Sequence, residues 1–169
     1  MRCARIPASI SLSDFDPAVN TICAQILALL ELDSLSLDVV ESLQRAGHQI
    51  VTCTNFAEAI SLLQVTNFAL IISDVHLENG GSVFDFLRWV RRNPLISATP
   101  FVLFGCVPTE TAKYIEDSLR TSARLLGASM YLVMDQFDSN EFGRQIDSLL
   151  PNLESTIDLR GSDTLLRQP

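Results

Sequence analysis

The stretch from residue 68 to residue 81 constrains the fold most: an apolar run ends at one acidic residue, and a glycine-containing loop follows. The run from Ala69 to Ile72 is too short for an ordinary helix and is rich in Ile and Leu. This pattern favours a strand buried on both faces, as in parallel sheets. Asp74 then stands at the carboxyl end of the strand, the edge where open α/β sheets place ligands and chemistry. We therefore treat Asp74 as a candidate reactive carboxylate.

Four more apolar runs alternate with five amphipathic segments. The strands are predicted at 25–30, 48–53, 69–74, 100–104 and 129–133, and the helices at about 34–46, 56–65, 83–92, 108–126 and 139–150. Alternation of this kind predicts an α/β fold with right-handed crossovers. Five units fit a flavodoxin-like, doubly wound parallel sheet of order 2-1-3-4-5. That order places strands one and three side by side, with Glu31 and Asp74 at their ends.

Local signals mark the ends of several helices and the limits of the domain. The spacing from Asn55 to Glu58, and from residue 138 to residue 141, is that of a capping box. Gly47 and Gly127 are placed to end helices one and four. We predict an N-terminal extension over 1–24 with a short helix at 16–23, one domain over 25–151, and a flexible polar tail over 152–169.

Composition excludes several classes of function. The net charge is −8 and the chain has one lysine, Lys113. This argues against binding to nucleic acid and to anionic membranes. No segment approaches the about 20 apolar residues of a membrane span, and no signal peptide is predicted. The four cysteines form no C-x-x-C pair, so we expect no zinc site, reduced thiols and a cytoplasmic location.

Four segments, at 43–50, 71–81, 100–104 and 126–133, resemble in their order and spacing the receiver domain of bacterial two-component response regulators. The resemblance covers Gln25 to Pro151. It implies that Asp74 accepts a phosphoryl group from a histidine kinase or a phosphotransfer protein. It also implies a Mg²⁺ ion held by Glu31, Asp74 and the backbone carbonyl of His76, with water completing the shell.

The sequence departs from the receiver pattern at three positions around that site. Leu30 replaces one of the two acids that follow strand one, and Gly105 replaces the Ser or Thr that ends strand four. Met134, followed by Asp135, replaces the Lys-Pro pair after strand five. A thioether cannot replace a cation. Tyr131 matches the aromatic switch residue of the family, although a partly buried strand tyrosine explains it equally well.

Two other residues have open assignments. Asp33 is either a substitute acid or a cap of helix one, and Lys113 lies in helix four, where only an unusual path leads to the site. The region between strands four and five is longer than the family pattern by about one to two helical turns. This length predicts altered recognition of partners.

We therefore predict a stand-alone, atypical receiver that is not an enzyme and acts mainly through protein–protein interaction, with impaired phosphorylation switching. Its output partner would dock on the face of helix four, strand five and helix five, where Tyr114 and Phe137 are candidate contacts. Whether it forms a homodimer is left open. The alternative is a Mg²⁺-dependent response regulator phosphorylated on Asp74. A small flavodoxin-like enzyme or nucleotide binder is disfavoured, because no glycine-rich phosphate loop or nucleophile elbow occurs.

Overall fold

The computed structural model describes residues 23–31, 34–75, 81–108 and 110–150. The predicted helix at 16–23 and the tail lie largely or wholly outside this range, as do Asp33 and His76. Within it, the strands are β1 (Gln25–Leu29), β2 (Gln49–Cys53), β3 (Leu70–Asp74), β4 (Phe101–Cys106) and β5 (Met130–Met134). The helices are α1 (Ser34–Arg45), α2 (Phe56–Val65), α3 (Val83–Arg92), α4 (Glu110–Leu125) and α5 (Ser139–Asp147).

All four strand pairs are parallel, and the strand order is β2-β1-β3-β4-β5. The predicted fold class and order are confirmed. β1 and β3 are neighbours, with Leu27 opposite Ile71 and Leu29 opposite Ser73. β3 also pairs with β4, where Asp74 lies opposite Phe104. β3, the strand that ends at Asp74, is therefore the middle strand of the sheet.

The helices cover both faces of the sheet, and each face has its own apolar cluster. On one face, side chains of β1, β3 and β4 pack with α2, α3 and α4, and Phe86 stacks against Phe56 with ring centroids 5.0 Å apart. On the other face, strand residues pack with α1 and α5, and Phe142 contacts Phe104 at 5.1 Å. Burial on both faces explains why these strands read as continuous apolar runs rather than as alternating ones.

The predicted helix signals form the expected contacts. The Asn55 side chain accepts a hydrogen bond from the Glu58 backbone N–H at 2.9 Å, and the Asp138 carboxylate accepts one from Glu141 at 3.0 Å. Gly47 and Gly127 have φ of +89° and +93°, which glycine adopts at the end of a helix without steric cost. Along the described parts of the chain, no helix is long and apolar enough to cross a membrane.

β4 differs from its predicted limits. The sequence predicts a strand that ends at Phe104, but β4 continues through Gly105 and Cys106. These two residues pair with Val133 and Met134 of β5. Pairing with the neighbouring strand, which local sequence does not reveal, therefore lengthens β4 toward the edge that holds the candidate site.

Candidate functional site

Asp74 ends β3 and is half-buried, while the residues before it in the strand are buried. The N–H of Val75 donates to the Phe104 carbonyl at 3.0 Å, so the backbone is held in the sheet up to this point. The buried Ser73 hydroxyl donates to the Asp74 carbonyl at 3.2 Å. The carboxylate thus projects from a fixed strand end, which is what the sequence predicts for its backbone position.

Alternation along β3 places Asp74 on the same face as Leu70 and Ile72. Both of these residues belong to the cluster beneath α1 and α5. The side chain of Asp74 therefore lies on a face of β3 whose other residues are apolar.

The end of β1 lies beside the end of β3. Leu29 pairs with Ser73, so the next residues, Leu30 and Asp74, are level with each other at the carboxyl edge. Leu30 is buried, with 5% of its surface exposed. Glu31 follows it, half-buried and outside the strand. The structure thus brings Glu31 to the same edge as Asp74, with a buried leucine at the position of the missing acid.

The end of β4 lies on the other side of Asp74. Gly105 follows Phe104, the register partner of Asp74. A Cβ atom built on Gly105 would meet only Val133 at 3.8 Å and Val75 at 3.9 Å, which are ordinary contacts. The structure therefore has room for a Cβ atom at position 105.

Met134 ends β5 and is buried, with 8% of its surface exposed. It belongs to the same apolar cluster as Leu30, Phe104 and Phe142. Asp135 is different: its side chain is 84% exposed, so its charge points to solvent and not into the site.

Lys113 lies closer to this edge than the sequence predicts. Its Nζ is 3.2 Å from Glu110 Oε1 and 3.9 Å from Asp135 Oδ1. The only lysine of the chain therefore stands beside the residue that follows Met134. Both contacts are with exposed carboxylates, and these carboxylates partly offset the positive charge of Lys113.

Tyr131 is half-buried in β5 and contacts α4. The guanidinium of Arg120 lies 5.3 Å from the centre of its ring, within the range of a cation–π contact. Burial raises the pKa of Tyr131, and the Glu116 carboxylate raises it further, while Arg120 lowers it. Arg120 also pairs with Glu116 at 2.6 Å. These contacts hold the ring against α4.

The sequence gives no local signal for the contact between Arg120 and Tyr131, because the two residues lie on different elements. The two candidate surface aromatics also differ. Tyr114 is 88% exposed, whereas the ring of Phe137 packs against Phe142 at 5.4 Å. Of this pair, only Tyr114 is available at the surface of α4.

The site offers few donors for a metal ion. Among the residues that the structure describes, no group of three or more His, Cys, Asp or Glu side chains is placed to hold one. Glu31 and Asp74 supply two carboxylates from adjacent strand ends. Carboxylate oxygens suit Mg²⁺, so Glu31 and Asp74 are the described residues that would hold such an ion, with one acid fewer than the receiver pattern.

The strand order and the parallel pairing define a doubly wound sheet of the flavodoxin-like class. No family model and no curated protein matches the sequence. Solved structures do match, and among them are receiver domains.

Three of the similar structures illustrate the match. The chemotaxis protein CheY4 of Vibrio cholerae is 26% identical, with a TM-score of 0.62 over 76% of this chain and 99% of that one. A signal receiver domain of a histidine kinase from Syntrophus aciditrophicus is 20% identical, with a TM-score of 0.62 over 85% and 98%. The receiver domain of NtrX from Brucella abortus is 16% identical, with a TM-score of 0.62 over 75% and 97%.

The chain therefore has the fold of response regulator receiver domains, and the predicted resemblance to them is confirmed. It spans nearly the whole of each of the three receivers compared.

Proposed function

We propose that the protein is an atypical receiver domain that acts mainly through protein–protein interaction, with phosphorylation of Asp74 impaired. The observation that carries this proposal is the joint burial of Leu30 and Met134 in one apolar cluster. These are the positions at which the receiver pattern has an acid and a lysine. Both charged groups are replaced together by apolar side chains that pack in the same core.

The paired replacement has a physical logic. A buried carboxylate and ammonium stabilise a fold only when each has its partner, and a lone buried charge costs several kcal/mol. Apolar side chains of similar volume stabilise the fold equally well or better. Leu30 and Met134 are thus consistent with selection for packing at this edge rather than for phosphoryl transfer.

Loss of these groups weakens phosphoryl transfer at three points. Leu30 removes a charge that would help to hold Mg²⁺. Gly105 lacks the hydroxyl that would donate to a phosphoryl oxygen, and Met134 lacks the cation that would pair with it. Because fixed charges and donors supply most of the catalysis in phosphoryl transfer, their joint loss is expected to lower the rate by orders of magnitude.

The interaction surface that we propose is the exposed side of α4, next to β5. Tyr114 and Leu125, 88% and 79% exposed, lie three turns apart on nearly the same line of the helix. Ile115 is 47% exposed beside them. Large exposed apolar side chains on one helix face indicate a site for a protein partner. Cognate partners would be a histidine kinase or phosphotransfer protein and a downstream protein.

A phosphorylation assay tests the proposal. The full chain is incubated with Mg²⁺ and acetyl phosphate, and its intact mass is compared with that of Asp74→Asn. We expect no phosphoryl adduct on the wild-type chain. Leu30→Asp, Gly105→Thr and Met134→Lys together restore the three missing groups, and we expect this variant to gain an adduct that Asp74→Asn removes.

A cellular assay supplies the second arm. We expect Asp74→Asn to keep the activity of the protein in the cell, and Tyr114→Ser with Leu125→Ser to abolish it at unchanged abundance. If the wild-type chain forms a stoichiometric adduct at Asp74 and Asp74→Asn is inactive, the protein is instead a Mg²⁺-dependent phosphoacceptor. In that case Glu31 and Asp74 are the residues that would hold the ion.

A further inference from the structure

A cavity of about 370 Å³ opens at the carboxyl ends of β1 and β2, between α1 and the start of α2. We call it the β1–β2 cavity. Its volume lies within the range of about 300–1,000 Å³ that small-molecule sites occupy. Because the sheet order is β2-β1-β3, this cavity and Asp74 lie on opposite sides of β1. The cavity therefore adjoins the Asp74 site at the carboxyl edge of the sheet, and Glu31 borders both.

One wall of the β1–β2 cavity is apolar. It is formed by Leu30, which is 5% exposed, and by Val40 on α1. The leucine that replaces a family acid thus does more than remove a charge. It gives the cavity an apolar surface against which a hydrocarbon group can pack.

The rest of the β1–β2 cavity is polar and negatively charged. Glu31 lies at the end of β1 and Glu58 in the first turn of α2, while Thr52 and Thr54 supply hydroxyls from β2 and the residue after it. The hydrogen bond from the Glu58 backbone N–H to Asn55, 2.9 Å long, fixes the turn that carries this acid. Carboxylates therefore border the cavity from two separate elements.

Glu58 is exposed and lines the cavity. In the described part of the chain, its carboxylate forms no ion pair with a basic side chain. Burial, and then the nearby Glu58 carboxylate, raise the pKa of the Cys53 thiol in the same wall to about 12. The thiol is thus neutral at physiological pH and adds no reactive group.

We propose that the β1–β2 cavity binds a small organic cation, with an amine or amidine head between Glu31 and Glu58 and a short hydrocarbon body against Leu30 and Val40. Two carboxylates disfavour an anionic ligand. A hydrated divalent ion would seek six or more oxygen ligands and would leave the apolar wall uncovered. A ligand with one charged end and one apolar end matches both walls.

The probe is n-pentylamine, titrated into the full chain while backbone amide shifts are followed by NMR. We expect saturable shifts at Leu30, Thr52 and Thr54, with n-pentanol binding at least about five-fold more weakly because it lacks the charge. Glu58→Gln should weaken binding of the amine by about five-fold or more. The matched control is Asp117→Asn, which removes the same charge from an exposed position on α4 and should leave the affinity unchanged.

Three results would overturn the proposal: no saturable shift up to about 10 mM amine, equal affinity of Glu58→Gln and Asp117→Asn, or equal binding of pentanol and pentylamine. None of these results depends on whether Asp74 is phosphorylated. Addition of Asp74→Asn to the series compares the two sites, because we expect it to lower the affinity for pentylamine less than Glu58→Gln does.

Discussion

At the scale of single residues, two glycines at opposite edges of the sheet have opposite backbone requirements. Gly127 has φ of +93°, and a Cβ there would lie 3.1 Å from Arg91 Nε. Gly105 lies within a strand, and a Cβ there would meet nothing closer than 3.8 Å. We expect Gly127→Ala to lower the free energy of unfolding by about 1–2 kcal/mol. Gly105→Ala should change it by less than about 0.5 kcal/mol, or raise it slightly.

Urea denaturation followed by circular dichroism measures both free energies, and each variant is the control for the other. Arg91 should increase the loss of stability in Gly127→Ala, because its Nε donates to the Gly127 carbonyl at 2.8 Å. A Cβ there would push against the side chain that holds this turn. A large loss of stability in Gly105→Ala would contradict the space that the structure gives to a Cβ atom at this position.

Periodicity in the sequence locates the strand ends at which Asp74, Glu31, Leu30 and Met134 stand, and the resemblance to receivers marks Leu30 and Met134 as departures from the pattern. The sequence does not reveal that Leu30 and Met134 share one cluster, because they are about 100 residues apart and come together only when the sheet forms. The contact of Arg120 with Tyr131 was not predicted for the same reason. Pairing between side chains on different elements has no signature in a single sequence.

At the scale of elements, one buried histidine joins three parts of the fold. The His48 side chain is 2% exposed, and its Nε2 lies 3.1 Å from Asp147 Oδ1 at the end of α5. Its Nδ1 accepts from the Ala24 N–H at 3.4 Å, just before β1. Because Nδ1 accepts, Nε2 carries the proton and donates to Asp147. His48 therefore links β2 to α5 and to the chain that enters β1.

We expect His48→Ala to lower the free energy of unfolding by about 2 kcal/mol, because it leaves a buried N–H unpaired and a small cavity. Asp147→Asn is the matched control. It keeps an oxygen that accepts the same hydrogen bond, and its side chain is 58% exposed, so it should cost less than about 0.5 kcal/mol. Chemical denaturation of both variants measures the difference, and equal losses would show that charge, not the hydrogen bond, holds α5 here.

The ends of elements were predictable where the sequence contains capping residues or a glycine that ends a helix. Asn55, Asp138, Gly47 and Gly127 mark helix ends through local backbone contacts, and each has the expected role. β4 was predicted too short, because its last two residues are held by β5 rather than by local preference. Local signals thus define helices better than they define the last residues of a strand.

At the scale of the whole molecule, the strand order follows from the alternation of strands and helices, and it determines which side chains meet at the carboxyl edge. Cores tolerate replacement of an ionic arrangement by an apolar one if volume is retained. The cluster of Leu30, Phe104 and Met134 beside Asp74 is apolar. The fold therefore keeps its architecture with apolar side chains at positions where the receiver pattern has charged groups.

A double-mutant cycle tests whether this edge still has the geometry of an ionic site. Leu30→Asp and Met134→Lys each place a lone charge in a buried apolar cluster, and we expect each to lower the free energy of unfolding by roughly 3 kcal/mol or more. In the double variant, the two charges become partners, so it should be more stable than the sum of the single losses predicts, by at least about 1 kcal/mol.

Urea denaturation at low and high salt measures this coupling, which should shrink as salt screens the more exposed part of the pair. If the losses are additive, the two introduced charges do not interact. The burial of Leu30 and Met134 in one cluster would then be no sign that an ion pair fits at these positions.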